Sequence, residues 1–238
     1  MNKTDVHNVI RAALFLLCIA CPCAARQTTP QTEQTATPAK KANARPEASA
    51  APTPEPFDGA SVAKMGAQCV TLDTEAGAVE VEMLAEAAPE TVRNFLNLAA
   101  TGAFDTTNFS RVVRGFVVQG GNLSTRETMT AELARRARRT LPDEPNAVKH
   151  TRGILSMARG EEPNSASTHF FILVGEGPHL DGTFAAFGRV RAGMDVVDKI
   201  NAAPLDGEKP EKPVRLRRAS VAPCPAVPAT PPPAESKP

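Results

Sequence analysis

Thiols are the most reactive side chains in this chain, and their spacing decides what they can do. Of five cysteines, Cys18, Cys21 and Cys23 crowd near the start, and Cys21-Pro22-Cys23 is not a zinc-ligand spacing, so no metal site is assigned. Cys69 and Cys224 stand far apart. If they open the first and close the last strand of an antiparallel sheet they could meet as a disulfide; two unpaired buried thiols are the other reading. Arg111, taken alone, reads as a surface ion-pair partner. The chain contains no P-loop, GxGxxG, HExxH or GxSxG string and no pair of carboxylates at telling spacing, so none of the chemistries those motifs carry is indicated.

The composition says where such residues could be held in place. The 27 Lys and Arg balance 26 Asp and Glu, and the net charge of +1 gives no support to a nucleic-acid binder working through bulk charge. Six of the 22 prolines fall in residues 27–56 and seven in 221–238, while eight of the ten Phe lie between Phe95 and Phe187. Aromatic burial therefore belongs to the middle of the chain.

The beginning of the chain has the layout of a secretory signal. Lys3 and Arg11 precede the uncharged run Ala12 to Ala25, which is shorter than the roughly 20 apolar residues a membrane span needs and ends in small residues. Residues 1–25 are read as this signal, cleaved after Ala25. The alternative to that cut is the string Leu17-Cys18-Ile19-Ala20-Cys21, an imperfect lipoprotein box in which Cys21 would carry lipid. Residues 26–62, rich in Pro, Thr, Ala and Gln, cannot bury enough surface to offset their ordering entropy and read as a disordered spacer. Residues 225–238 read as a Pro-rich tail. The folded domain is then 63–224, exported to the periplasm, and a membrane is reached only through the N-terminal lipid.

Inside that domain, Val79, Val81 and Met83 alternate with Glu80 and Glu82, the period of a strand with one wet face; a turn near Gly77 joins it to a strand from Cys69 to Asp73. Pro89 starts a helix in which Val92, Phe95, Leu96 and Ala99 share a face, and Gly102 stops it. Short strands follow at Thr107–Val113 and Phe116–Gln119. Others are expected at Gly153–Ala158, Phe170–Val174, Ala185–Val190 and Val214–Val221, with a second helix through Met194, Val197 and Ile200. The Arg-rich AELARRARRT reads as a turn or two of helix with a solvated face. Many strands without βαβ alternation point to a mainly antiparallel sheet, closed into a barrel.

Four strings in this region carry a resemblance: APETVRNFLNLAATGAFD, NFSRVVRGFVVQGG, HTRGILSMARG and NSASTHFFILVGEGPHLDGTFAAFGRV. From about Gln68 to Cys224 the chain resembles the cyclophilins, which are peptidyl-prolyl cis-trans isomerases. The resemblance implies a mainly β fold, a closed eight-stranded antiparallel barrel capped by two α-helices. It also implies rotation about X-Pro bonds in unfolded or flexible polypeptides by a monomer, without ATP, metal, nucleophile or other cofactor. Carried over by position, Arg111 matches the catalytic arginine, with Phe116 and Gln119 beside it. Phe109, Val117, Ala158, Arg159, His169, Phe171, His179, Leu180 and Phe184 match substrate-binding positions.

Four departures bear on activity. Ser110 stands where His is frequent, Val117 where Met is usual, His169 where Gln is usual, and His179 where Trp or Phe is common. His169 as an imidazole would make activity fall at acidic pH, and the lost ring at 179 would weaken cyclosporin binding. These departures keep a rival reading in view, a catalytically weak module that binds Pro-containing segments or a partner. A tethered lipoprotein whose tails do the work is a third reading, compatible with the first.

Overall fold

The computed structural model describes residues 54–225. The signal at 1–25 with Cys21, the spacer up to residue 53 and the tail from residue 226 lie outside the described residues.

The fold opens with a short helix, α1 (Val62–Gly66), and the hairpin β1 (Gln68–Thr74) and β2 (Gly77–Met83). Val70, Leu72, Val79 and Val81 are completely buried, so the alternation in sequence becomes one dry face. Helix α2 (Pro89–Ala100) follows, with proline at its start and Val92, Phe95, Leu96 and Ala99 turned inward. Its residue before the first turn, Ala88, has no side chain to cap the free amides. Glu144 does this from a distant loop, accepting from Glu90 N at 3.0 Å and Thr91 N at 2.7 Å.

Seven more strands build the rest of the main sheet: β3 (Thr107–Asn108), β4 (Arg111–Val113), β5 (Val117–Gly120), β6 (Ile154–Met157), β7 (Phe170–Leu173), β8 (Ala186–Ala192) and the last strand, Arg215–Pro223. The last is β11, because the small hairpin β9 (Leu205–Asp206) and β10 (Lys209–Pro210) precedes it. Helix α3 (Ala131–Ala137) lies between β5 and β6, and α4 (Met194–Asn201) follows β8.

The hydrogen-bonded order is β3-β11-β1-β2-β8-β6-β7-β5-β4, with every pair antiparallel. Its two ends, β3 and β4, are halves of one stretch of chain. Phe109 N donates to Val214 O just before β11, and the next residue, Ser110, donates to Gln119 O on β5. The sheet is thus curled until a single bent strand serves both ends. Counted as one, that strand brings the nine strands to the expected eight.

The curled sheet is filled by aromatic rings. Phe95 of α2 packs at 5.0 to 5.2 Å between centroids against Phe104, Phe170 and Phe187. Each fully buried ring contributes about 1.5–3 kcal/mol relative to exposure. Cys69 and Cys224 are joined as a disulfide, which resolves the choice left open by the sequence; their Cα atoms are 4.7 Å apart, with Cys69 facing Ala222 and Cys224 just beyond β11, its amide donating to Ala67 O at 2.9 Å.

Two expectations need correction. The packed unit begins before residue 63: Phe57 is buried in the core, its amide donates to Asn97 Oδ1 at 2.7 Å, and its carbonyl accepts from Arg93. One anchoring aromatic outweighs a disorder-prone composition. The Arg-rich helix α3 is also not wholly a solvated face, since Arg136 is drawn inward to Glu55 at 2.8 Å and Asn94 at 2.6 Å.

Candidate active site

Strand parity builds the site. Val112, Val118, Ile172 and Leu155 are in register across β4, β5, β7 and β6, and all four are buried in the main core. Moving one residue along each strand turns the side chains to the opposite face. The adjacent row is Arg111, Gln119 and Phe171, also in register. With Val117 and Leu173 beside them, these strands carry a second, smaller apolar cluster that includes Leu180 and Ala186. Between this cluster and solvent lies a groove of about 200 Å³, lined by Arg111, Phe116, Val117, Gln119, Ala158, Arg159, Phe171, Leu180 and Phe184.

The turn between β4 and β5 is braced from behind. Gly115 has φ of +71°, a conformation glycine adopts without penalty, and Asn201 at the end of α4 binds on both sides of it. Arg114 donates to the carbonyls of Asn201 and Ala203, closing the same brace.

The apolar wall is held by a buried polar relay. Leu180 and Phe184 belong to the 177–184 segment, whose Asp181 accepts from His150 N at 2.8 Å and pairs with Lys149 at 3.1 Å. The His150 ring bridges Asp181 and Ser156, with Nδ1 3.2 Å from Asp181 Oδ1 and Nε2 3.0 Å from Ser156 Oγ, and the Ser156 hydroxyl also lies within donating distance of Ala185 O at 3.0 Å. Burial pulls the His150 pKa below 6.5 against the opposing pull of Asp181. The His150 amide and the Lys149 ammonium hold the Asp181 carboxyl down to about 2. Ser, His and Asp at these distances resemble a nucleophile and its base, but Ser156 is fully buried. The three residues clamp a loop.

Arg111 and Arg159 are the two charged residues of the groove lining, and the contacts of Arg111 fix its guanidinium. Its Nε donates to Glu208 at 2.6 Å and its Nη1 to Gln119 at 3.3 Å, which leaves Nη2 without a protein acceptor among the described residues. Arg159 stacks over Phe184 at 5.0 Å, donates once to Gly160 O, and keeps a buried Nε with no partner among the described residues.

The model of the "Cyclophilin type peptidyl-prolyl cis-trans isomerase/CLD" family matches residues 69–221, more than half of the chain. The chain belongs to the cyclophilin family. It is 35% identical over 147 residues to peptidyl-prolyl cis-trans isomerase CYP23 of Arabidopsis thaliana, covering 61% of this chain and 65% of that one. It is 34% identical to peptidyl-prolyl cis-trans isomerase A of the bacterium Dickeya dadantii, covering 64% and 83%. The crystal structure of a Cryptosporidium parvum cyclophilin, determined in the presence of the dipeptide Ala-Pro, matches with a TM-score of 0.58 at 28% identity, covering 65% of this chain and 98% of that one. The activity of the family is peptidyl-prolyl cis-trans isomerisation.

Of the twelve positions expected at this cyclophilin groove, nine line it and three do not. Phe109 points into the barrel core, 1% exposed, because the strand bends between β3 and β4 just where it stands. His169 is half-buried and outside the lining; its carbonyl accepts from Ala158 N at 3.0 Å, and burial lowers its pKa. His179 is exposed on the outer side of Phe116, with ring centroids 5.4 Å apart. Sequence reasoning missed Glu208, Asn201 and the His150–Asp181 pair. These are distant in the chain from what they hold, and no local pattern announces them.

Proposed function

We propose that Arg111 is the electrophilic donor of this isomerase and that the apolar groove grips the proline ring. Turning an X-Pro bond must break amide resonance, a barrier of about 18–20 kcal/mol. Midway, the prolyl nitrogen becomes pyramidal and regains its lone pair. A fixed N–H donor bonds to it there and not in the planar ground state, and that difference lowers the barrier.

One charge-assisted hydrogen bond supplies about 1.5–3 kcal/mol, whereas a millionfold acceleration needs about 8. The remainder falls to desolvation and grip: Phe116, Val117, Phe171 and Leu180 around the ring, and Gln119 with the Ala158 and Arg159 backbone on the adjoining peptide. The observation that carries this reading is the row Arg111–Gln119–Phe171, which sets a guanidinium with a free Nη2 beside an apolar slot. The Ala-Pro dipeptide named with the Cryptosporidium relative supports a proline-containing ligand.

The polypeptides served are exported proteins during folding, in the periplasm or at a membrane reached through lipid on Cys21. The signal-like start of the sequence and the Cys69–Cys224 disulfide support an oxidising compartment. The rival, a weakly active binding module, draws on His179, an exposed imidazole beside Phe116 that adds no large apolar ring to the slot. The test is isomerisation of a short X-Pro peptide together with refolding of an exported protein limited by a cis proline. Acceleration of both supports the proposal; peptide binding without acceleration supports the rival.

A further inference from the structure

We infer that Glu208 is a positioning residue for Arg111 and that the β9–β10 hairpin is part of the isomerase apparatus. The inference rests on Arg111 acting as the donor described above.

The hairpin is a two-stranded element of its own, outside the main sheet, turning at Gly207 with φ of +62°. It touches β4 through consecutive residues of that strand. The carbonyl of Glu208 accepts from Val112 N at 2.8 Å, and its carboxylate accepts from Arg111 Nε at 2.6 Å. The backbone contact fixes where the carboxylate starts, so its reach to Arg111 is set by the fold and not by a free surface side chain.

An arginine has a long stem and many rotamers, and an unrestrained one would spend little time aimed at a prolyl nitrogen. Here Glu208 takes Nε and Gln119 takes Nη1, from opposite ends of the guanidinium. Two fixed points on a planar group define its orientation. The free Nη2 edge is the one left to meet the lone pair that appears midway through rotation. Among the described residues the hairpin alone supplies the Nε restraint.

The opposing view is that this is one more surface ion pair, worth little. Both side chains are about half exposed, 45% for Arg111 and 56% for Glu208, so the pair is screened by salt and contributes modestly to folding. Positioning and folding are separable by kinetics. Loss of a restraint that acts through Arg111 lowers kcat and has no effect once Arg111 is gone.

The experiment uses the full chain as wild type, Glu208→Ala, Glu208→Gln, Arg111→Ala and the Glu208→Ala/Arg111→Ala double variant, with kcat and KM measured on a short X-Pro peptide. Glu208→Ala is expected to lower kcat about fivefold with KM nearly unchanged, since a misaimed donor forfeits part of its transition-state bond. Glu208→Gln keeps an acceptor oxygen and should fall between the two. On the Arg111→Ala background, loss of Glu208 should cost nothing further. Raising NaCl from about 0.05 to about 0.5 M should narrow the gap between wild type and Glu208→Ala. A Glu208→Ala kcat equal to wild type, or the same loss repeated without Arg111, would overturn the inference. Full activity in Arg111→Ala would overturn the assignment of the donor beneath it, a result distinct from the first two.

Discussion

Asn201 and Gly115 are 86 residues apart in sequence, yet the Asn201 Oδ1 accepts the Gly115 amide at 2.9 Å. The same side chain donates through Nδ2 to Val113 O at 2.9 Å and Val117 O at 3.3 Å. Helix α4 thereby holds the turn whose two strands present Arg111 and Gln119. Replacing Asn201 by Ala removes three hydrogen bonds, of which the one to Val117 O is buried, and should cost about 1–3 kcal/mol of stability, read by urea denaturation. A loosened turn should also lower kcat/KM.

The disulfide should matter for folding and not for chemistry. Cys69 and Cys224 are 155 residues apart and close nearly the whole domain into one loop, while neither lines the groove. Reduction, or Cys69→Ser with Cys224→Ser, should cost about 2–5 kcal/mol. Peptide isomerisation at 25 °C by the molecules still folded should be unchanged. A large loss of kcat would contradict this separation.

Stability should decline on the acid side. Burial lowers the pKa of both His150 and His169 from 6.5, so the folded state keeps them neutral while the unfolded chain takes up protons. Their contribution is complete above about pH 6.5 and is lost progressively below it, as pH falls towards their folded values. Asp181, held at about 2, adds a contribution present above its unfolded value of 3.8 and lost as pH falls through about 2. For catalysis, burial moves the acid decline expected of His169 to lower pH. The value of kcat/KM should stay flat from about pH 8 to 6.5 and fall only below; a midpoint at or above 6.5 would contradict this.

His179 bears on inhibition. An exposed imidazole beside Phe116 offers less apolar area than an indole or phenyl ring, and affinity for an apolar macrocycle falls accordingly. Cyclosporin should inhibit weakly, with a constant in the micromolar range, and His179→Trp should tighten it. Nanomolar inhibition of the wild type would refute the argument.

Much of the fold was legible locally. The alternation of Val79, Val81 and Met83 and the spacing of Val92, Phe95, Leu96 and Ala99 are set by neighbours in the chain, and they became β2 and α2. The groove was legible through long matching strings, which located Arg111, Gln119 and Phe171 before their register could be seen. What remained hidden acts across distance. Phe57 anchors a segment whose composition speaks for disorder, Glu144 caps a helix from 53 residues away, and Glu208 reaches Arg111 across 97. Each is a single polar or aromatic side chain whose partner is fixed only once the sheet has curled. Phe109 shows the reverse case: a position that matches by string but is turned inward by a bend.

The central claim is that Arg111 bonds to the prolyl nitrogen in the twisted state and not in the ground state. Measuring kcat and KM separately for wild type and Arg111→Ala on an X-Pro peptide tests it most directly. The account predicts that kcat falls about tenfold to a hundredfold, the equivalent of one charge-assisted hydrogen bond, while KM stays nearly constant. An unchanged kcat with a raised KM would contradict it, because the guanidinium would then serve binding alone.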